Sequence, residues 1–273
     1  MKYHIEKNSV QETLVIPLFA RSICSKAYPD LFYDENAERI CESLDYDFES
    51  KRKLMDSPAG RFGAMEAAQR HFDLICEVKD YLKDHPNASV VNLGCGLDDT
   101  FSKVDNGTCR GYNLDLADVI KVRNEILPPS SREENIAFDL RDPGWMKRIE
   151  KKDGAVFFAA GVFYYLMKDD VKKLLLAMKE HFLGSVLVFD ACNRLGAKMM
   201  TKTWIAQAGI KNVDALFYLD DVNEVKDWGK LDVSSKSYMR GYRDIYPDVS
   251  VFHKLMIIFC DKLVKMVIVK VVF

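Results

Sequence analysis

Short apolar segments alternate with amphipathic segments through the middle of the chain. Two stretches, Asp118–Leu127 and Lys168–Phe182, carry their apolar residues at helical spacing. Five others are short and mostly apolar, as expected of buried strands: Val90–Leu93, Tyr112–Leu114, Asn135–Phe138, Ala155–Ala160 and Ser185–Phe189. Because apolar strands alternate with amphipathic helices, the pattern predicts an α/β fold whose parallel sheet is covered by helices on both faces.

The same pattern divides the chain into four segments. Helical patterns at Thr13–Ala27, at Ala37–Leu44 and from Ser57 towards Leu82 predict an N-terminal helical cap over residues 1–84. Residues 85–195 are interpreted as the cofactor-binding α/β core, and residues 196–250, where the alternation breaks, as a substrate-side insertion. Residues 251–273 predict a helix and a final strand, Lys265–Phe273, which completes the core sheet as an antiparallel strand.

A glycine turn follows the first core strand. In NLGCGLDD, Gly94 and Gly96 come directly after the strand, and the second strand ends at Asp115, 21 positions after Gly94. Glycine permits positive φ and lets a ligand approach the main chain closely. A glycine turn with an acid at the tip of the next strand is typical of doubly wound folds that hold a nucleoside. Ligands bind at the carboxyl ends of such strands, where this chain has Asp115, Asp139, Gly161 and Asp190.

Two classes of cofactor fit this layout, a dinucleotide and S-adenosyl-L-methionine. A dinucleotide site needs a third glycine beside the pyrophosphate, and this chain has Asp99 at that position, preceded by Asp98. Two carboxylates would repel a pyrophosphate, whereas they suit the cationic S-adenosylmethionine. The pattern therefore favours S-adenosylmethionine over NAD.

Composition excludes several classes of protein. The 273 residues are 48% hydrophobic and 29% charged, as in an ordinary soluble protein, and the net charge of −2 gives no basic surface for nucleic acid. Seven cysteines without CxxC spacing indicate reduced thiols in a cytoplasmic protein, and five scattered histidines predict no metal site. A polar N-terminus and a charged C-terminal segment predict neither a signal peptide nor a membrane span.

Five segments carry a resemblance to a known family: VVNLGCGLDDTF, YNLDLADVIKVRNEILP, DLRDPGW, AAGVFYYL and SVLVFDACNRLG. Together they resemble the leucine carboxyl methyltransferase superfamily, and within it the bacterial branch related to the tetracenomycin polyketide synthesis O-methyltransferase. The similarity runs from about Thr13 to the C-terminus. It implies a class I methyltransferase fold, with a mostly parallel seven-stranded sheet, one antiparallel strand and S-adenosylmethionine as cofactor.

The resemblance also implies roles for individual residues. Arg70 would bind the methionyl carboxylate with help from Arg21, Asp115 the ribose, and Asp139 with Leu140 the adenine. The remaining cofactor-binding candidates are Gly94, Cys95, Gly96, Leu116, Ala160 and Gly161. Many relatives have a glutamate before the glycine of the fourth-strand motif, where this chain has Ala160. Whatever that carboxylate does in relatives is not done by residue 160.

The acceptor chemistry follows from the residues near the strand tips. A carboxylate is already ionised at pH 7 and needs no base, whereas a phenol usually needs one. The sequence offers no convincing His–acid pair there, and His71 is interpreted as a packed or surface residue, which favours a carboxylate or another easily ionised group. Of the catalytic candidates Tyr164 and Tyr165, one is expected in the core and the other in the pocket wall. An acceptor carboxylate would pair with arginine, for which the candidates are Arg194, Arg240 and Arg243.

The sequence therefore predicts a cytoplasmic O-methyltransferase that converts S-adenosylmethionine to S-adenosylhomocysteine. Its substrate would be a small-molecule carboxylate or hydroxyl, of a polyketide or another metabolite, with no nucleic acid or membrane partner. Three alternatives stay open at this point: a protein C-terminal carboxyl methyltransferase, an NAD-dependent oxidoreductase, and an inactive cofactor-binding module.

Overall fold

Five helices precede the main sheet in the computed structural model, which describes residues 2–5, 10–202, 216–237 and 249–273. Two short strands, β1 (Tyr3–His4) and β2 (Leu44–Asp45), pair in parallel beside these helices. The helices are α1 (Val10–Ala27), α2 (Pro29–Phe32), α3 (Glu35–Ser43), α4 (Phe48–Met55) and α5 (Pro58–Asp84). Ser57 begins α5, because its hydroxyl accepts a hydrogen bond from the Gly60 N–H and Pro58 supplies the first helical residue.

Seven strands form the main sheet within the described residues, in the order β5-β4-β3-β6-β7-β9-β8. They are β3 (Ser89–Leu93), β4 (Arg110–Asp115), β5 (Glu133–Ala137), β6 (Ala155–Ala159), β7 (Val186–Ala191), β8 (Asp232–Lys236) and β9 (Val267–Val272). β9 is antiparallel to both of its neighbours, and the other pairs are parallel. The predicted mostly parallel sheet with one antiparallel strand is confirmed.

Further helices cover the sheet and connect its strands. They are α6 (Thr100–Val104), α7 (Ala117–Ile126), α8 (Lys168–His181), α9 (Arg194–Met200), α10 (Glu224–Asp227) and α11 (Val251–Phe259). Short 3₁₀ turns occupy Pro143–Arg148 and Phe163–Tyr165, and a π turn, Cys260–Val264, follows α11. Within the described ranges, no helix combines the length and the apolar character that a membrane crossing requires.

Two hydrophobic clusters lie on opposite faces of the sheet, because successive strand side chains point to opposite sides. On one face, Val91 and Phe157 pack with α8 residues such as Leu175. On the other face, Val90 and Phe158 pack with residues of α5 and α11. A third cluster holds α1 and α3 against Ala64 of α5 and Val122 of α7. The helix α5 therefore covers the sheet and carries the smaller N-terminal helices, and the division of the chain into four segments stays a prediction.

Among the local differences from the sequence prediction are the end of β7, the strand β8 and the helix α4. β7 continues through Asp190 to Ala191, so Asp190 is a buried strand residue rather than the residue after the strand. β8, Asp232–Lys236, forms an edge strand of the core sheet, whereas the pattern placed an extended segment earlier, within Asp214–Gly229. The helix α4 was not predicted.

The strand order places a switch point between β3 and β6. From β3 the chain adds β4 and β5 on one side, and β6 and β7 lie on the other side. Ligands of doubly wound sheets bind outside the carboxyl ends of the strands at such a point. Gly94 follows β3 and Gly161 follows β6, so both predicted glycines flank the switch point.

Candidate active site

The glycine turn after β3 is built from main-chain contacts with the end of β4. The N–H groups of Gly94 and Cys95 both donate to the Leu114 carbonyl, at 2.8 and 2.9 Å. Gly94 has a φ of +69°, and a Cβ there would lie 2.6 Å from Val162 Cγ2. Only glycine therefore lets the turn after β3 sit this close to the turn after β6. Burial raises the pKa of the Cys95 thiol to about 12, so this side chain is a packing residue.

Asp115 connects the glycine turn to the end of β4. Its Oδ2 accepts a hydrogen bond from the Gly96 N–H and its Oδ1 from the Leu116 N–H, both at 2.8 Å. Burial raises the pKa of Asp115, while these two hydrogen bonds oppose the rise. A carboxylate has about four acceptor positions, so two remain for hydroxyl groups of a ligand. The apolar side chain of Leu116, 43% exposed, lies beside this acid.

Arg123 of α7 binds the main chain of the same turn, and it was not among the residues predicted from the sequence. The side chain is 2% exposed, and its Nη1 donates to the carbonyls of Gly96 at 3.0 Å and Asp98 at 2.7 Å. Its Nε donates to Asn135 Oδ1 at 3.2 Å. Arg123 follows Val119 by four positions, so an arginine within the apolar stripe of α7 was the available signal.

A buried charge network joins the N-terminal helices to the glycine turn. Arg21 Nε lies 3.0 Å from Asp34 Oδ2, and Arg21 Nη1 lies 3.7 Å from Asp98 Oδ2. His71 Nδ1 lies 3.0 Å from Asp98 Oδ2, and Lys103 Nζ lies 2.9 Å from Asp34 Oδ1. The expectation of no His–acid pair near the strand tips was therefore wrong, because His71 and Asp98 form one. Both ring nitrogens of His71 face charged groups of this network, which gives the histidine a structural role.

The network also changes the interpretation of the acid pair Asp98-Asp99. Burial alone would raise the pKa of Asp98, but His71, Arg21 and a hydrogen bond from the Thr100 side chain outweigh it and hold the pKa well below its ordinary value. Asp99 accepts hydrogen bonds from Asn36 and Ser102. Protein groups therefore compensate the charge of Asp98. The sequence pattern suggested that the two acids select a cationic ligand, and the structure does not support that interpretation.

Arg70 reaches from α5 to the ends of β6 and β7. Its Nη1 lies 3.2 Å from Asp190 Oδ2, and Asp190 Oδ1 accepts a 2.6 Å hydrogen bond from the Gly161 N–H. Gly161 has a φ of +71°, and a Cβ there would lie 2.8 Å from Arg70 Nη1. The guanidinium therefore lies directly over the turn after β6, with its side chain 20% exposed. Ala160, the residue before this glycine, is partly buried.

Arg21, Asp139 and Leu140 contact other protein groups. Arg21 is engaged in the charge network, so in this structure it positions the cap against the glycine turn. Asp139 accepts two hydrogen bonds from Arg141 Nε, at 3.0 and 3.1 Å, and this arginine lowers its pKa. Leu140 is buried, and its carbonyl accepts a hydrogen bond from the Trp145 indole at 3.4 Å.

The residues predicted to contact the methyl-accepting substrate differ in their exposure. Tyr164 is 1% exposed, whereas Tyr165 is 44% exposed beside the turn after β6. Burial raises the pKa of Tyr165, while Arg70 opposes the rise. Arg194 lies 3.7 Å from Asp220 and stacks over Tyr218, with the guanidinium carbon 5.0 Å from the ring centre. Arg240 and Arg243 lie outside the described residues.

The residues around the switch point fit S-adenosylmethionine in their chemistry. The two glycines let Val162 and Arg70 pack closely against the turns. Arg70 offers a cation for a carboxylate, and Asp115 offers acceptors for ribose hydroxyls. When bound, the cofactor supplies an activated methyl group on a sulfonium. The chain itself has only to bind, orient and shield the reacting groups.

Comparisons with known proteins agree with the fold and with S-adenosylmethionine as the cofactor. The family described as leucine carboxyl methyltransferase matches residues 15–179. The tetracenomycin polyketide synthesis O-methyltransferase TcmP of Streptomyces glaucescens is 26% identical over 201 residues, which cover 68% of this chain and 67% of that protein. A solved structure from Thermobifida fusca YX, assigned as a methyltransferase, shares the fold with a TM-score of 0.57, 15% identity, and coverage of 76% of this chain and 81% of that one.

A second solved structure shows the same fold over more of the chain. It is a DUF574 family protein from Streptomyces avermitilis, with a TM-score of 0.57, 12% identity, and coverage of 84% of this chain and 92% of that one. The family match covers more than half of the chain, and it identifies the activity as S-adenosylmethionine-dependent methyl transfer rather than NAD-dependent oxidation. The chain belongs to the leucine carboxyl methyltransferase family.

Proposed function

We propose that this protein is an O-methyltransferase that methylates a carboxylate or a hydroxyl of a small, polyketide-like molecule in the cytoplasm. The observation that carries the proposal is the similarity to TcmP, a polyketide synthesis O-methyltransferase, over 68% of the chain. The arrangement at the switch point supports it, because the groups suited to the cofactor and the exposed ring of Tyr165 lie around the same turn.

In the proposed complex, Arg70 binds the methionyl carboxylate and Asp115 binds the ribose hydroxyls. Asp139 and Leu140 flank the adenine, and Leu116 covers one side of it. The turns at Gly94–Gly96 and at Ala160–Gly161 form the walls of the cleft. Arg123 and Arg21 act as positioning residues, because each holds the glycine turn or the cap through protein contacts alone.

The proposed reaction is an in-line displacement at the methyl carbon. The acceptor oxygen forms the new C–O bond as the methyl–sulfur bond breaks, and the bonding pair stays on sulfur as S-adenosylhomocysteine forms. Alignment of the two reactants can supply up to about 7–11 kcal/mol of the barrier. A carboxylate acceptor releases no proton, whereas a hydroxyl acceptor must lose one to a base or to water.

The test is methyl transfer from methyl-labelled S-adenosylmethionine to a panel of acceptors. The panel contains aromatic polyketide-like carboxylic acids, their methyl esters that keep a phenol, and phenols that lack the acid. Methyl esters release labelled methanol when treated with base, whereas methyl ethers do not, so the product shows which oxygen was methylated. Transfer to neither class would contradict the proposal.

A protein C-terminal carboxylate is a second candidate acceptor, favoured by the description of the family that matches residues 15–179. A peptide that ends in leucine with a free carboxylate, and the same peptide amidated at its C-terminus, extend the panel. Methylation of the free peptide alone, with the small acids unreactive, would replace the small-molecule proposal.

A further inference from the structure

Glu66 is a partly buried acid that the proposed function leaves unused. It lies on α5, one helical turn before Arg70. Its Oε1 is buried and has no hydrogen-bond partner within the described part of the chain. An acceptor without a donor is costly to bury, and such groups are frequent where a ligand completes the hydrogen bond.

Three groups of the described residues face Glu66, and among them Arg70 is the one cation and Cys260 the one hydrogen-bond partner. Arg70 lies on its own helix, Cys260 at the end of α11, and Cys192 after β7. Burial raises the pKa of both thiols, that of Cys192 to about 12, so neither carries a charge at neutral pH. Burial also raises the pKa of Glu66 to about 7, although Cys260 and Arg70 oppose the rise.

Arg70 contacts Asp190 although it also lies close enough to Glu66 to lower the pKa of that acid. The two residues have the i, i+4 spacing of a helical ion pair. Nevertheless, Arg70 Nη1 lies 3.2 Å from Asp190 Oδ2, and the other oxygen of Asp190 accepts the Gly161 N–H. Both carboxylate oxygens of Asp190 therefore have a partner. By contrast, Oε1 of Glu66 accepts no hydrogen bond from the described residues.

We infer that Glu66 binds the α-ammonium group of the cofactor's methionyl end, while Arg70 binds its α-carboxylate. The inference rests on the proposed placement of that carboxylate. The two opposite charges of the amino acid sit on one carbon, and Glu66 and Arg70 offer two opposite charges one turn apart on one helix face. Residue 160 is alanine, so the turn after β6 supplies no acid there.

This assignment predicts that cofactor binding releases a proton. In the free protein, a glutamate with a pKa of about 7 is about three-quarters protonated at pH 6.5 and about one-tenth protonated at pH 8. An ammonium beside it favours the ionised form, so its proton passes to the buffer on binding. Release should therefore be large at pH 6.5 and small at pH 8.

Calorimetry measures this proton directly. S-adenosylhomocysteine is titrated into the protein at both pH values, in two buffers with different ionisation enthalpies. We expect release of more than half a proton at pH 6.5 from wild type and close to none from Glu66→Gln, which should also bind about 10- to 100-fold more weakly. Methylthioadenosine lacks the amino acid, so it should bind both proteins equally and release no proton.

Asp73→Asn is the matched control, because Asp73 lies on the same helix and burial raises its pKa to about 7 as well. This variant should keep the wild-type proton release. Binding of S-adenosylhomocysteine to wild type without a pH-dependent proton release would overturn the role of Glu66 and leave the proposed function standing. A wild-type protein that does not bind S-adenosylhomocysteine would instead contradict the proposed function. The wild-type pH comparison needs no variant, so a poorly folded Glu66→Gln protein would not block the test.

Discussion

Asp115 holds the glycine turn and, in the proposed complex, also holds the ribose. Asp115→Ala removes the acceptors for the ribose hydroxyls and the acceptor for the Gly96 N–H. We expect the affinity for S-adenosylhomocysteine to fall by about 1.5–3 kcal/mol, the range for hydrogen bonds to a charged group. Isothermal calorimetry measures the affinity, and a thermal melt shows that the variant is folded.

Asp139→Asn is the comparison for this prediction. One orientation of the amide still offers an acceptor oxygen to the adenine amino group, so its loss of affinity should be smaller than that of Asp115→Ala. The substitution also breaks the exposed pair with Arg141, which contributes little to stability. A folded Asp115→Ala protein with wild-type affinity would place the nucleoside elsewhere.

Arg70 is the proposed partner of the methionyl carboxylate. Arg70→Ala should lose about 2–5 kcal/mol of affinity for S-adenosylhomocysteine, as when one member of a buried, hydrogen-bonded charge pair is truncated. Arg70→Lys should recover only part of it, because lysine lacks the planar fork. Adenosine has no carboxylate, so calorimetry should show nearly equal adenosine affinity for all three proteins.

The matched control is Arg61→Ala, since Arg61 lies on the same helix with an exposed side chain. It should leave both affinities unchanged. If Arg70→Ala lowered the adenosine affinity as much as the S-adenosylhomocysteine affinity, Arg70 would act through the structure of the turn at Gly161 rather than through the carboxylate.

The sequence indicated the positions that local backbone chemistry determines. Gly94 and Asp115 could be found because a turn after a strand needs glycine and because the spacing to the next strand tip is nearly fixed. The partners of Asp98 could not be found in this way. His71 and Arg21 are distant in sequence, and only the packing of α1 and α5 on the core brings them together.

The turn after β3 is confined by the turn after β6. Gly94→Ala would place a Cβ in the left-handed region and 2.6 Å from Val162. We expect Gly94→Ala to lower the free energy of unfolding by more than the roughly 1–2 kcal/mol that left-handed strain alone costs. We also expect the substitution to weaken cofactor binding. Chemical denaturation measures the first effect and calorimetry the second.

Gly107 provides the control for backbone strain. It also has a positive φ, +87°, but a Cβ there would meet nothing within 4 Å. Gly107→Ala should therefore lower the free energy of unfolding only by the cost of backbone strain. It should leave the cofactor affinity unchanged. Equal losses in the two variants would show that contact with the turn after β6 does not confine the glycine turn.

The elements that the sequence missed are those without an apolar pattern. β8, Asp232–Lys236, has one buried residue, Val233, because an edge strand covers little of the core. The helix α4, Phe48–Met55, is rich in charged residues and packs through few apolar side chains. By contrast, β6 and β7 are buried throughout, and their apolar sequences made them predictable.

The charge network that docks the N-terminal helices predicts a pH dependence of stability. Burial alone would raise the pKa of Asp34, but Arg21, His71 and Lys103 outweigh it and hold the pKa below its ordinary value. A folded pKa below the unfolded one gives stability that is present above about pH 4 and is lost as the pH falls through the folded pKa.

Asp34→Asn tests this contribution, because asparagine still caps α3 but carries no charge. At pH 7 we expect urea denaturation to show a loss of about 3–5 kcal/mol, as for a broken buried ion pair. The difference from wild type should shrink below pH 4. The control Asp45→Asn removes an exposed pair with His4 and should change stability by at most about 1 kcal/mol. If the difference in free energy of unfolding between Asp34→Asn and wild type did not change with pH, the loss would come from packing rather than from charge.

The mostly parallel sheet covered by helices followed from the alternation of strands and helices, since parallel strands require crossover connections. The position of the cap did not follow from the pattern. It depends on α5, which packs on the sheet through one face and reaches the turn after β6 through Arg70.

The helix α5 and the glycine turn belong to different parts of the chain. A ligand bound between them should therefore protect the amides of both segments from hydrogen exchange. Saturating S-adenosylhomocysteine should slow amide hydrogen exchange in α5 around Arg70 and in the turn Gly94–Asp99, since a ligand bound only to the native state suppresses local opening. NAD at the same concentration should slow neither. At saturation, Arg70→Ala should keep the slower exchange in the glycine turn and lose it in α5. Protection of the glycine turn alone in the wild-type protein would show that the cap is a scaffold and that the methionyl end of the cofactor lies elsewhere.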